Sequence, residues 1–212
     1  MLIHLIKKDI LIAKKYAILV ILIGFVIPLF VFWRSQKYSE TLGFVLAVVF
    51  SEFMFCQNLS MKESIYSKAT ALLCTTPYPR RLMVVSKYAV FVITFLYCAV
   101  AYGIDVLLFP QIGQFDLKYI FMIFLLVSII YGIYMPVQYK LGYDKTKIFF
   151  MIVILLAPFG LPALMTYSNI DLSFCLKYPS FLIIAVELIA SICVLSVSLA
   201  FTIRIFKNKE LV

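Results

Sequence analysis

The chain has little of what a soluble domain needs. Only 14% of its 212 residues are charged, and acids are the scarcer sign, ten against nineteen Lys and Arg. With 65% hydrophobic residues and a mean hydropathy of +1.08 there are too few polar groups to clothe a water-facing fold. The composition is that of an integral membrane protein. A single histidine, His4, and acids spread one at a time leave no nucleophile and base, no carboxylate pair and no metal-ligand set. No catalytic or metal-binding residue is therefore assigned, and the chain is not expected to be an enzyme. Five cysteines (Cys56, Cys74, Cys98, Cys175 and Cys193) form no CxxC or Cys/His pattern and read as small apolar residues. The seven glycines stand singly and no GxxxxGK loop followed by Ser or Thr occurs, so no nucleotide or other cofactor is expected in this chain. The net charge of +9 lies in short connections and not on a soluble face, which argues against a nucleic-acid partner. The N-terminus lacks a short apolar core followed by a cleavage site, so the first span is expected to remain in the mature protein.

What the chain has is apolar length. Aromatic residues make up 17%, with 20 Phe and 14 Tyr against one Trp, which suits lipid-facing and interfacial surface. A bilayer core of about 30 Å needs about 20 helical residues. Six runs qualify, at 16–33, 41–59, 83–109, 119–138, 148–167 and 181–206. The fifth is interrupted by Pro158, Gly160 and Pro162, which must bend or break a helix. An all-α, polytopic protein of six transmembrane helices follows, with residues 1–212 as one domain. Fifteen of the nineteen Lys and Arg fall at the two ends and in the connections after the second and fourth runs; Arg34, Lys37, Lys118 and Lys177 fall on the other side. That bias places both termini in the cytoplasm of a multi-pass cell-membrane protein.

Two segments lie outside the spans on the basic side. Residues 1–15 set Lys7, Lys8, Lys14 and Lys15 on one side and Ile3, Ile6, Ile10 and Ala13 on another, the pattern of an interfacial helix or of a basic flank that fixes topology. Residues 60–82 carry Met61, Ile65, Ala69, Leu72 and Leu73 at helical spacing, and then Thr75, Thr76, Pro77, Tyr78 and Pro79 end the helix. Read from its residues, this segment is either an ordinary basic loop or a short rigid helix carried by the second and third spans.

Three motifs resemble those of one family. LLCTTPYPRRLMVVSKY (72–88) passes from a proline turn through two arginines into Ser-Lys-Tyr at the next span. MPVQYKLGYDKTKI (135–148) joins a proline-containing span end to a lysine, Gly-Tyr, an acid and a lysine. SLAFTIRIFKNKEL (198–211) closes the last span with Ile-Arg-Ile-Phe. Together, and in this order, they are similar to the permease subunits of type-2 ABC exporters, closest in look to small bacterial exporters of phenol-soluble modulins or bacteriocins. The resemblance implies a half-transporter that dimerises with a second copy or a paralogous permease and rests on two separate ATPase subunits, which bind ATP and Mg. It also implies that 60–82 is a cytoplasmic coupling helix, with Lys62, Glu63, Lys68, Thr76, Pro77, Tyr78, Arg80 and Arg81 facing the ATPase. The cargo implied is an amphipathic peptide or another hydrophobic molecule, carried through the lipid membrane.

Three acids lie within spans, where an ionisable group is costly and by default functional. Asp105 and Glu187 stand near the outer ends and are expected to reach the interface. Glu52 lies about two turns inside the second span and either pairs with a basic residue of a neighbouring span or lines the translocation pathway. The alternative to an exporter is a stand-alone immunity protein that binds a bacteriocin without ATP hydrolysis.

Overall fold

The computed structural model describes residues 2–34, 39–66, 79–112, 116–148, 151–152 and 180–207. Regular structure among them is helical: α1 (Leu2–Ile12), α2 (Lys14–Arg34), α3 (Ser39–Ile65), α4 (Arg80–Leu108), α5 (Leu117–Leu141) and α6 (Ser180–Lys207), with a 3-10 turn at Pro110–Ile112. Five stretches are long and apolar enough to cross a membrane: Lys14–Arg34, Leu42–Ile65, Arg81–Leu108, Leu117–Leu141 and Phe181–Lys207. Most of the expected fifth span, residues 153–167, lies outside the described residues.

Three boundaries differ from the apolar runs by three residues or more. α3 does not stop at Leu59 but continues to Ile65, because no Gly or Pro interrupts it, and so it carries Lys62 and Glu63 beyond the apolar stretch. α4 begins at Arg80, directly after Pro79, whose backbone is extended (φ −63°, ψ 134°). Proline lacks the donor that an earlier helical turn would need, so the helix starts after it. α5 ends at Gly142, whose φ of 85° is open to glycine and costly for other residues, while its N–H closes on the carbonyl of Gln138.

α4 is the central helix, packed against α1, α2, α3 and α6. The four-residue connection between α2 and α3 makes them an antiparallel pair. α5 and α6 form a second pair, and Gly132 sets their distance: a Cβ there would lie 3.3 Å from Val194 Cγ1 and 3.5 Å from Ser198 Cβ. Without water, close backbone approach of this kind replaces the hydrophobic effect as the force between spans. α4 and α5 meet through rings, with Phe91 stacked on Tyr131 at 4.1 Å and Phe95 tilted against Phe124 at 4.7 Å. α6 buries only 11% of its apolar window against 56% for α3. Its outward face, Val186, Ile189, Val197 and Phe201, is exposed hydrocarbon not covered by the other described residues, and it suits acyl chains or another apolar partner.

α1 is a separate helix in which Leu5 and Asp9, with Ala13 just after it, are buried one turn apart, while Ile3 is 77% exposed. One expectation from the sequence needs correction. Asp105 does not reach the interface, being 1% exposed.

Candidate functional site

The first turns of α4 carry Ser86, Lys87 and Tyr88 in succession, and each points to a different helix. Successive residues on an α-helix are about 100° apart, so three of them fan across more than half of its circumference. On a helix surrounded by neighbours, that fan meets three partners.

Ser86 Oγ donates to Asp9 Oδ2 of α1 at 2.8 Å, with both residues buried. Lys87 Nζ lies 2.6 Å from Glu63 Oε1 at the end of α3, and their side chains are 8% and 24% exposed. The Tyr88 hydroxyl lies 2.7 Å from Ser198 Oγ and 3.0 Å from Thr202 Oγ1 on α6. Ser198 in turn donates to the Gly132 carbonyl of α5 at 2.6 Å. The Tyr131 hydroxyl, also from α5, donates to the Lys87 carbonyl at 3.1 Å. Five helices are thus joined through three consecutive residues.

Other contacts at the same end tighten the junction. Lys62 Nζ donates to the carbonyl of Ile12, the last residue of α1, where a cation also favours the helix dipole. Tyr134 Oη lies 3.4 Å from Ser60 Oγ, tying α5 to α3. Lys8 Nζ stands 3.0 Å from Asp9 Oδ1, so the buried acid has a cation and a hydroxyl beside it. Tyr139 of α5 meets Phe206 of α6 edge to face at 5.2 Å. The three family-like motifs therefore converge: Tyr88 from the first touches Ser198 and Thr202 of the third, and Tyr139 of the second touches Phe206 of the third.

The sequence-predicted residues divide unequally. Lys62 and Glu63 belong to this junction and hold α1 and α4. Arg81 is exposed beside it at the start of α4. Arg80 is the first residue of the helix. Lys68, Thr76, Pro77 and Tyr78 lie outside the described residues. Asp9 was not singled out from the sequence, although an acid at one-turn spacing between Leu5 and Ala13 in a basic helix was a visible signal. Lys87, counted there among the basic residues of the connection, is an interior group.

Glu52 sits one helix face away. It is 5% exposed, has no hydrogen-bond partner on either oxygen among the described residues, and forms no ion pair with them. The residue lines a small pocket between α3, α4 and α5. No group of three or more potential metal ligands occurs among the described residues.

Apolar spans gathered around a central helix, with the polar contacts concentrated at the basic end, define a polytopic membrane protein with a built junction at one end. The family model for the ABC-2 family transporter protein matches residues 4–207. The chain belongs to that family, whose permeases work with ATPase subunits. Neither the curated proteins nor the solved structures contain a match.

Proposed function

We propose that the chain is the transmembrane subunit of an ATP-binding cassette exporter in the bacterial cell membrane, with both termini in the cytoplasm. It pairs with a second copy or a paralogous permease and with two ATPase subunits that bind ATP and Mg, and it has no ATPase or other enzymatic activity of its own. In this reading the segment 60–82 rests on the ATPase, with Lys68, Thr76, Pro77, Tyr78, Arg80 and Arg81 in contact and Lys62 and Glu63 holding the segment to α1 and α4. The chain would then cross the membrane six times, and its cargo is an amphipathic peptide or a similar hydrophobic molecule whose path includes Glu52.

The observation that carries the reading is the junction at Ser86, Lys87 and Tyr88. A displacement of the end of α3 reaches α4 through Glu63 and Lys87, and from there α1 through Asp9 and α6 through Tyr88. Rigid helices joined by buried polar contacts move together, whereas a solvated loop would absorb the displacement. This is what a subunit that converts closure of its ATPases into movement of its spans requires.

Purification of the tagged permease with a co-expressed partner ATPase, followed by ATP hydrolysis assays, tests the proposal. A stable complex that the double change Arg80→Glu, Arg81→Glu releases or uncouples supports it. A permease that purifies alone, with the double change silent, refutes it and favours a stand-alone immunity protein.

A further inference from the structure

We infer that the pocket at Glu52 is a binding site for the ammonium group of an amphipathic organic cation. It deepens the exporter reading, by naming a cargo class, but binding itself does not depend on an ATPase.

Glu52 lines the pocket, and neither of its buried carboxylate oxygens has a donor among the described residues. The groups best placed to answer it are turned elsewhere. The Tyr131 hydroxyl donates to the Lys87 carbonyl and the Tyr134 hydroxyl contacts Ser60. Lys87 lies in the adjoining cavity, behind Cys56, Tyr131 and Tyr134, and is held by Glu63. A buried carboxyl left this way is an unsatisfied polar group, and its charged form is favoured only when a cation stands beside it.

The remaining walls select the kind of cation. Phe53, Phe91, Tyr131 and Tyr134 line the same pocket, so aromatic carbon makes up much of its wall. Ring faces attract organic ammonium ions, and carboxylate plus aromatic wall is the recurring solution for holding them. A calcium or magnesium ion would need about six oxygen ligands, and Glu52 supplies the single carboxylate of this lining. The space is about 40 Å³, enough for an ammonium head with a water but not for a whole amphiphile. The half-buried Phe53 and Ile130 leave an apolar edge along which a hydrocarbon stem can lie.

The test uses the full-length chain in phosphatidylcholine nanodiscs, titrated calorimetrically with octylammonium and with octanol, with empty nanodiscs subtracted. Octylammonium is expected to bind about tenfold or more tighter than octanol, the discrimination a carboxylate and ring faces give together. Glu52→Gln should abolish that preference and leave octanol binding unchanged. Equal affinities in the unaltered chain, or a preference that survives Glu52→Gln, overturn the inference. Should the variant fail to fold, the octylammonium-to-octanol ratio of the unaltered chain decides by itself. Absence of the preference in the unaltered chain with ATPase co-purification intact refutes the pocket alone; ammonium preference without any ATPase partner refutes the exporter reading alone.

Discussion

Removing one partner of the Glu63–Lys87 pair should not be equivalent to removing the other. Lys87 has its side chain 8% exposed and its charge 2.6 Å from Glu63 Oε1. Glu63→Gln leaves that ammonium in the interior with a neutral amide, and breaking a buried pair in this way costs about 3–5 kcal/mol. Lys87→Met leaves a carboxylate that is 24% exposed and can turn to water. The methionine fills much of the lysine stem's volume, so the loss should be about 1 kcal/mol. The double variant should then resemble Lys87→Met, with a coupling energy of about 2 kcal/mol or more in the cycle. Unfolding midpoints of the four proteins in mixed micelles measure this. Equal and additive losses from the two single changes would refute the idea that Lys87 is held as an interior ion by Glu63.

Tyr88→Phe removes the link to Ser198 and Thr202 but leaves Ser198 bonded to Gly132, so it should cost about 1–2 kcal/mol in the same assay. Asp9→Ala should free α1, seen as faster amide exchange over Leu2–Ile12 with the centre of α4 unchanged, and Ser86→Ala should give a weaker form of the same effect. Gly132→Val places branched carbon where Val194 already lies 3.3 Å from a bare Cβ, so it should destabilise by about 2 kcal/mol or more, with Gly132→Ala less severe.

Much of the fold was legible because its signal is apolar length, and five runs became helices long enough to cross a bilayer. The packing was not legible, because spans that are apolar on nearly every face carry no contrast between lipid side and protein side. Ser86, Lys87 and Tyr88 stood out as a motif, yet their partners lie 77, 24 and 110 residues away along the chain. Which helix adjoins which decides such pairs, and one sequence does not contain it. Ser198, Thr202 and Phe206 do share a face at one-turn spacing, but the same spacing occurs on exposed faces of α6. Asp9 escaped notice because Lys7 and Lys8 directly precede it, and an acid beside them reads as a solvated neighbour. Its burial follows only from the packing of α1 against α4.

The central claim is that movement imposed at the end of α3 reaches the other spans through the first turns of α4. Spin labels at the exposed positions Leu11 on α1 and Phe201 on α6 report it, measured as an inter-label distance in the complex with its ATPase. The account predicts a distance change on adding a non-hydrolysable ATP analogue, and its loss in a Lys87→Met, Tyr88→Phe variant that still holds the ATPase. An identical change in both proteins would contradict it.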